Sequence, residues 1–392
     1  MMTHANWNYP TAISVGEGCL ASLAEHCKRL NMSSPLLVTD PFLADLDMVS
    51  KAISDCQSSG VAVGAFADIQ GNPTDANVNL GIDAFNAGKH DGIIAFGGGS
   101  SLDAAKTIAL CANQSLPLWS FEDVGDNWTQ ADESKIVPVI AIPTTAGTGS
   151  EVGRASVITH SQTHVKKIIF HPKMMPVQVL LDPNVTVGLP SHITAATGMD
   201  ALSHSLEAYC APGYHPMADG IALESIKLVK HYLYRAYLDG SDIEARTQLL
   251  VASSMGATAF QKGLGAMHAL AHTLGGLYDK HHGLLNAILM PYVLEANRKE
   301  IEEKMLVLAR SLSLQSPSFE AVIEWVLGMR NTLNIPHTLA EIGLNGNDAK
   351  RIGEIAVLDA AAGTNPIQFS AEEYSNLFSY ALTGKPMNPS TS

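Results

Sequence analysis

Gly92-Ile93-Ile94-Ala95-Phe96-Gly97-Gly98-Gly99-Ser100-Ser101 is an apolar run that stops at three glycines and passes into helical spacing. The run is too short for a helix and shows no polar alternation, so it reads as a strand buried on both faces. Residues 101–111 continue as a helix with Asp103 in its first turn. Glycines at such a turn let the backbone approach a pyrophosphate, whose charge the positive end of the helix dipole stabilises. Gly97, Gly98, Gly99 and Ser100 are therefore candidate phosphate-binding residues. The fingerprint G-x-G-x-x-G is not met, because Leu102 stands where its third glycine belongs. The carboxylate placed to hold a ribose, Asp40, precedes the loop instead of following it. A dinucleotide site here departs from the standard Rossmann arrangement.

The same alternation extends in both directions. Residues 36–40 and 61–69 read as strands, a helix-like stretch follows Pro41, and residues 75–87 have helical spacing. Residues 136–142 form another apolar strand, 157–170 resemble a hairpin, and 177–182 return to the sheet. Strands alternating with helices predict a parallel sheet covered on both faces. A second loop, Pro143-Thr144-Thr145-Ala146-Gly147-Thr148-Gly149-Ser150-Glu151, lies at the carboxyl end of a strand, where ligands of open α/β sheets gather. The patterns turn helical near Leu189-Pro190. This divides the chain into an α/β dinucleotide-binding domain, residues 1–188, and a helical domain, residues 189–392.

Composition narrows the functional classes. At 392 residues the chain exceeds one ordinary domain, and 46% hydrophobic against 16% charged residues excludes disorder. A net charge of −14 argues against nucleic acid or an anionic membrane as partner. Cys19, Cys27, Cys56, Cys111 and Cys210 are scattered and form no C-x-x-C pair, which argues against a disulfide framework or a thiolate zinc site. Residues 1–15 lack the basic start and apolar run of a signal peptide, and no stretch has membrane-spanning length. A soluble cytoplasmic protein is the expectation.

The helical half carries the second constellation. Asp200 and His204 are four residues apart, and His268 and His272 repeat that spacing, which puts each pair on one helix face. His281 and His282 follow beside Gly283. Imidazoles with one carboxylate and no thiolate suit a divalent ion such as Zn2+ or Fe2+. Spacing alone leaves open which of His268, His272, His281 and His282 are ligands. The remaining histidines, such as His4, His90, His164, His171 and His215, have no such company and read as structural or surface residues.

Together these motifs resemble the iron-containing, or group III, alcohol dehydrogenases. The matching stretches are Asn72-Pro73-Thr74, residues 97–106, 143–151, 198–209 and 263–291, and Thr364-Asn365-Pro366. The resemblance implies the dehydroquinate synthase-like superfold, with a Rossmann-like α/β domain, an all-α metal-binding domain and the active site between them. It makes Asp200, His204, His268 and His282 the ligands of one divalent metal per chain, Fe2+ or Zn2+. His272 then stays unligated beside the nicotinamide and substrate, where an imidazole can relay a proton. It implies NAD as cofactor, with Thr144, Thr145, Thr148 and Ser150 lining the nicotinamide side and Asn72, Asp103 and Lys167 around the cofactor. It implies a homodimer or larger assembly.

The expected reaction is hydride transfer between NAD(H) and a small primary alcohol or aldehyde. An ω-hydroxyacid or semialdehyde is an alternative substrate class, for which Lys262 is the candidate anion-binding residue. A sugar-phosphate cyclase of the same superfold is a further reading. It would need several cations around the metal motifs, where only Lys262 and Lys280 stand.

Overall fold

The computed structural model describes residues 9, 11–163 and 165–384; His4 and His164 lie outside the described residues. Its strands are β1 (Ala12–Val15), β2 (Leu36–Val38), β3 (Gly64–Phe66), β4 (Ile93–Gly97), β5 (Val139–Pro143), β6 (Ala155–Thr159), β7 (Lys166–Phe170) and β8 (Gln178–Leu181). Six of them form one sheet in the order β1-β8-β5-β4-β2-β3, with every pairing parallel. β6 and β7 make a separate antiparallel hairpin. Every residue of β4 and β5 is buried, as expected of central strands covered on both faces. The covering helices include α1 (Leu23–Arg29), α2 (Pro41–Ala44), α3 (Asp47–Ser58), α4 (Asp75–Gly88) and α5 (Gly99–Cys111).

From Ser191 the described chain is helical. It contains α6 (Ser191–Cys210), α7 (Pro216–Leu238), α8 (Ile243–Ala259), α9 (Ala266–Tyr278), α10 (His282–Ala296), α11 (Arg298–Ser311), α12 (Phe319–Thr332), α13 (Ala349–Ala356) and α14 (Ala371–Thr383). Two compact units result. One is the sheet unit, Tyr9–Gly188 with Ser241–Ser254, which includes most of α8; the other comprises Leu189–Gly240 and residues 255–384. α6 is the central helix of the second unit, with every residue from Thr194 to Cys210 buried.

The predicted class, a parallel α/β sheet followed by a helical region, is the one observed. The differences lie at element ends. β1 has no signal in the sequence, because Ala-Ile-Ser-Val is short, largely exposed and lacks an apolar run. The strand expected over 61–69 keeps only three residues at the sheet edge. The strand expected from 136 begins after Pro138, which has no N–H to give to the ladder.

A buried charge network ties α5 to the hairpin. Lys106 is fully buried and its Nζ donates to the Ala155 carbonyl and, at 3.0 Å, to the Ser150 carbonyl. Asp103 lies 3.4 Å from that ammonium and accepts from Ser150 Oγ at 2.5 Å and from the Val157 N–H at 2.9 Å. Burial pulls the Lys106 pKa down, and the charges of Asp103 and Glu151 oppose it. Both Asp103 oxygens are thus engaged inside the sheet unit, so this residue holds loop and hairpin to the helix. Asp103→Ala would leave Lys106 buried without its nearest carboxylate, a loss of about 3–5 kcal/mol. We expect a lower thermal midpoint, partly recovered by adding Lys106→Met. Unchanged stability with only a raised KM for the cofactor would contradict the structural role.

Candidate metal centre and cofactor loops

α6 presents Asp200 and His204 on one face, α9 presents His268 and His272, and α10 starts at His282. One donor atom each from Asp200, His204, His268 and His282 lies within 4.8 Å of all the others. The His204 and His268 rings stack with centroids 4.7 Å apart, and those of His268 and His282 are 5.3 Å apart. Three imidazoles and a carboxylate without a thiolate fit one borderline divalent cation.

Asp200 is 3% exposed, and burial works against its charge. The charges of His204, His282 and His268 and the Asn286 amide outweigh burial and hold its pKa at about 2. Asn286, fully buried one turn after His282, donates from Nδ2 to Asp200 Oδ1 at 2.8 Å, and the same nitrogen lies 3.1 Å from His282 Nε2 and 3.3 Å from His268 Nε2. Its Oδ1 is buried without a hydrogen-bond partner. The acceptors of three of the four residues therefore converge on one point, as a cation site requires. Behind His268, its Nδ1 lies 2.6 Å from Glu207 Oε2. Burial lowers the pKa of His268, but the hydrogen bond and charge of Glu207, then Asp200 and Asp359, raise it overall.

His272 stands beside this group of four. Its ring stacks on His282 with centroids 5.2 Å apart and an interplanar angle of 11°. Its Nδ1 is 3.0 Å from Asp359 Oδ2. Burial works against the Asp359 charge, but His272 holds that carboxyl below the usual range. His281 caps α10, accepting the Leu284 N–H at Nδ1. Lys262 does not offer a free charge: its buried Nζ meets the Asp219 carboxylate and the Tyr209 carbonyl. With these partners the ammonium does not fit the anion-binding role expected of it.

In the sheet unit, β2, β4 and β5 are parallel neighbours, so Asp40, Gly97 to Ser100 and Thr144 to Ser150 all emerge at one carboxyl edge. Gly97 has φ 153°, where a side chain is strained, and a Cβ on Gly99 would lie 2.5 Å from Thr148 Oγ1. A Cβ on Gly98 would meet Thr145, and Thr144 donates its N–H to the Gly97 carbonyl. The two loops are thus packed against each other. No side chain caps α5, which leaves its first turn for a ligand anion. Asp40 caps α2 through Oδ1, which accepts the Leu43 N–H. Asn72 adopts φ 54°, a conformation asparagine tolerates, and accepts from Lys166 Nζ at 2.7 Å. Lys167, expected around the cofactor, pairs with Glu122 at 2.7 Å and lies over Trp119. Lys166 is the hairpin lysine that reaches Asn72.

The comparisons with known proteins agree with this arrangement. Residues 10–183 match the family model described as iron-containing alcohol dehydrogenase. Residues 194–382 match the C-terminal model of the Fe-containing alcohol dehydrogenase family. The chain is 36% identical to a 4-hydroxybutyrate dehydrogenase of Cupriavidus necator over 95% of its length and 99% of that protein. It is 33% identical to an NAD-dependent methanol dehydrogenase of Bacillus methanolicus over 96% of its length and all of that protein. A crystal structure of 1,3-propanediol oxidoreductase matches with a TM-score of 0.93 and 32% identity, covering 97% of this chain and 100% of that one.

Gly283 sets how closely α10 approaches α6. A Cβ there would lie 2.3 Å from the Ala196 carbonyl oxygen and 3.0 Å from Asp200 Cβ. Backbone must shift to accommodate it. Gly283→Ala should therefore move His282 away from Asp200 and lower metal content per chain, measured by elemental analysis. Full metal occupancy in this variant would show that the approach is not needed.

Proposed function

Because the chain belongs to the iron-containing alcohol dehydrogenase family, we propose that it is an NAD-dependent enzyme transferring a hydride between the nicotinamide and a small primary alcohol or aldehyde. The observation that carries the reading is the convergence of buried Asp200, His204 and His268 with half-buried His282. These four hold one divalent metal, Fe2+ or alternatively Zn2+. When bound, such a cation lowers the pKa of an alcohol hydroxyl and polarises an aldehyde carbonyl. Gly97, Gly98, Gly99 and Ser100 hold the pyrophosphate, and Thr144, Thr145, Thr148 and Ser150 line the nicotinamide side. Asn72, with Lys166 bonded to it, holds the adjoining part of the cofactor. The methanol dehydrogenase relative, named as NAD-dependent, supports the choice of cofactor.

His272 is the proposed proton carrier. Asp359 engages its Nδ1, so the hydroxyl proton is exchanged at Nε2, and a side chain 22% exposed can pass it to solvent. Asp359 orients the ring through that hydrogen bond. A second reading, an ω-hydroxyacid or its semialdehyde as substrate, draws on the similarity to the 4-hydroxybutyrate dehydrogenase. Its carboxylate would have to be met by a group other than Lys262.

Following NADH formation with 1-butanol, 1,3-propanediol and 4-hydroxybutyrate tests both readings. Turnover of the first two supports the main one, a kcat/KM ratio above tenfold for the acid supports the second, and no turnover of any refutes both. Alanine at Asp200, His204, His268 or His282 should remove metal and activity together. His272→Ala should keep the metal, lose at least about 100-fold in kcat and recover partly with added imidazole. Loss of metal in His272→Ala, with retention in His282→Ala, would reverse the assignment. For the cofactor, the Asp40 carboxylate favours ribose hydroxyls over a 2′-phosphate. The kcat/KM preference for NAD over NADP should shrink in Asp40→Gly; an NADP preference in the unaltered enzyme would contradict this.

A further inference from the structure

We propose that Glu207 is a positioning residue of the metal centre, holding His268 in the tautomer that presents Nε2 to the cation; this rests on the metal-site reading above. Glu207 lies three residues after His204 on α6 and is 6% exposed. Its two oxygens receive three donors. Oε1 accepts the Met267 N–H at 2.7 Å, and Oε2 accepts the Gly265 N–H at 2.8 Å and His268 Nδ1 at 2.6 Å. An ionised carboxylate only accepts, so Nδ1 of His268 carries a proton, and the neutral ring that a metal requires has its lone pair on Nε2. Nε2 is the nitrogen beside Asn286 Nδ2, where Asp200 and His282 also converge. The opposite tautomer would set a lone pair against the carboxylate and a proton against the metal.

The same carboxylate caps α9 from outside. The helix begins after Gly265, which has no side chain to cap it. Glu207 takes the N–H groups of Gly265 and Met267, and Asn365 Oδ1 takes that of Ala266 at 3.0 Å. Asn365 therefore shares the capping role of Glu207 without its hydrogen bond to His268. This separates a merely structural role from a positioning one.

The test is the affinity of metal-stripped protein for Co2+, measured by competition with a chelator, together with the Co2+ absorption spectrum. Glu207→Gln preserves volume but offers a single acceptor oxygen and an NH2 donor. It cannot satisfy all three donors, and where its NH2 faces Nδ1 it drives the ring proton to Nε2. Affinity should fall about 10–100-fold, well beyond the loss in Asn365→Ala at an equal drop in thermal midpoint. Glu207→Asp, which keeps the charge, should recover part of it. Unchanged affinity in Glu207→Gln, or a loss no greater than in Asn365→Ala, would overturn the proposal while leaving the metal site intact. Failure of the unaltered protein to bind Co2+ better than Asp200→Ala would overturn both. If Glu207→Gln does not fold, 15N-histidine spectra of the unaltered protein loaded with Zn2+ decide the matter. His268 should bind through Nε2 with its proton on Nδ1, and binding through Nδ1 would overturn the assignment.

Discussion

Asp200 carries a negative charge in a position that solvent barely reaches. An isolated carboxylate so placed costs several kcal/mol. The rest of the helical unit is arranged around that constraint. His204 lies one turn further along the same helix, His268 and His282 arrive from α9 and α10, and Asn286 adds an amide donor. Glu207 brings a second buried carboxylate behind His268. The charges of the imidazoles offset that of Asp200 in the protein alone, and a bound divalent cation would take over that role with the imidazoles neutral. The same groups therefore explain both why the charge is tolerated and why their converging donor atoms suit a dication. Their convergence demands close helix packing, which is why Gly283 sits against the Ala196 carbonyl.

Two helix N-termini show how the same backbone chemistry is put to opposite uses. α5 begins at a glycine loop with no side-chain cap, so its amide donors and dipole stay available to an anion. α9 has its first N–H groups filled by Glu207 and Asn365, from α6 and from the segment after α13. It cannot serve as an anion site, and it gains a fixed register instead. This gives Thr364-Asn365-Pro366 a physical reason: Asn365 closes the start of the helix that bears His268 and His272. Asn365 is itself held by Asn297 at the start of α11.

The parts legible in the sequence were those set by local periodicity. β4 and β5 are continuous apolar runs, and the i,i+4 pairs on α6 and α9 announce shared helix faces. The parts that escaped depend on which face of a strand, or which distant segment, a side chain meets. Lys166 pairs with Thr159 and Lys167 with Ile158 across the hairpin, so neighbouring lysines go to opposite sides. Only the register tells which one meets Asn72. Asp103 looked like a helix-start carboxylate facing a ligand, but the hairpin 54 residues on uses it. Glu207 and Asn286 were within reach of the spacing argument, three residues after His204 and four after His282. Asp359 was not, because 87 residues separate it from His272.

His268 and His272 make the clearest case for reading the partners of a residue before its type. They share a helix, a face and the same chemical group, and each has its Nδ1 against a carboxylate. The carboxylates differ. That of Glu207 is 6% exposed and bound to backbone N–H groups, so it cannot follow a moving ring. That of Asp359 is 20% exposed and begins the short turn Ala360–Thr364, accepting the Ala361 N–H through its other oxygen. A ring held by the first keeps one tautomer in a dry site, which suits a ligand. A ring held by the second, itself 22% exposed, lies within reach of water for proton exchange. The division of labour between two histidines one turn apart thus follows from how deeply their carboxylates are buried.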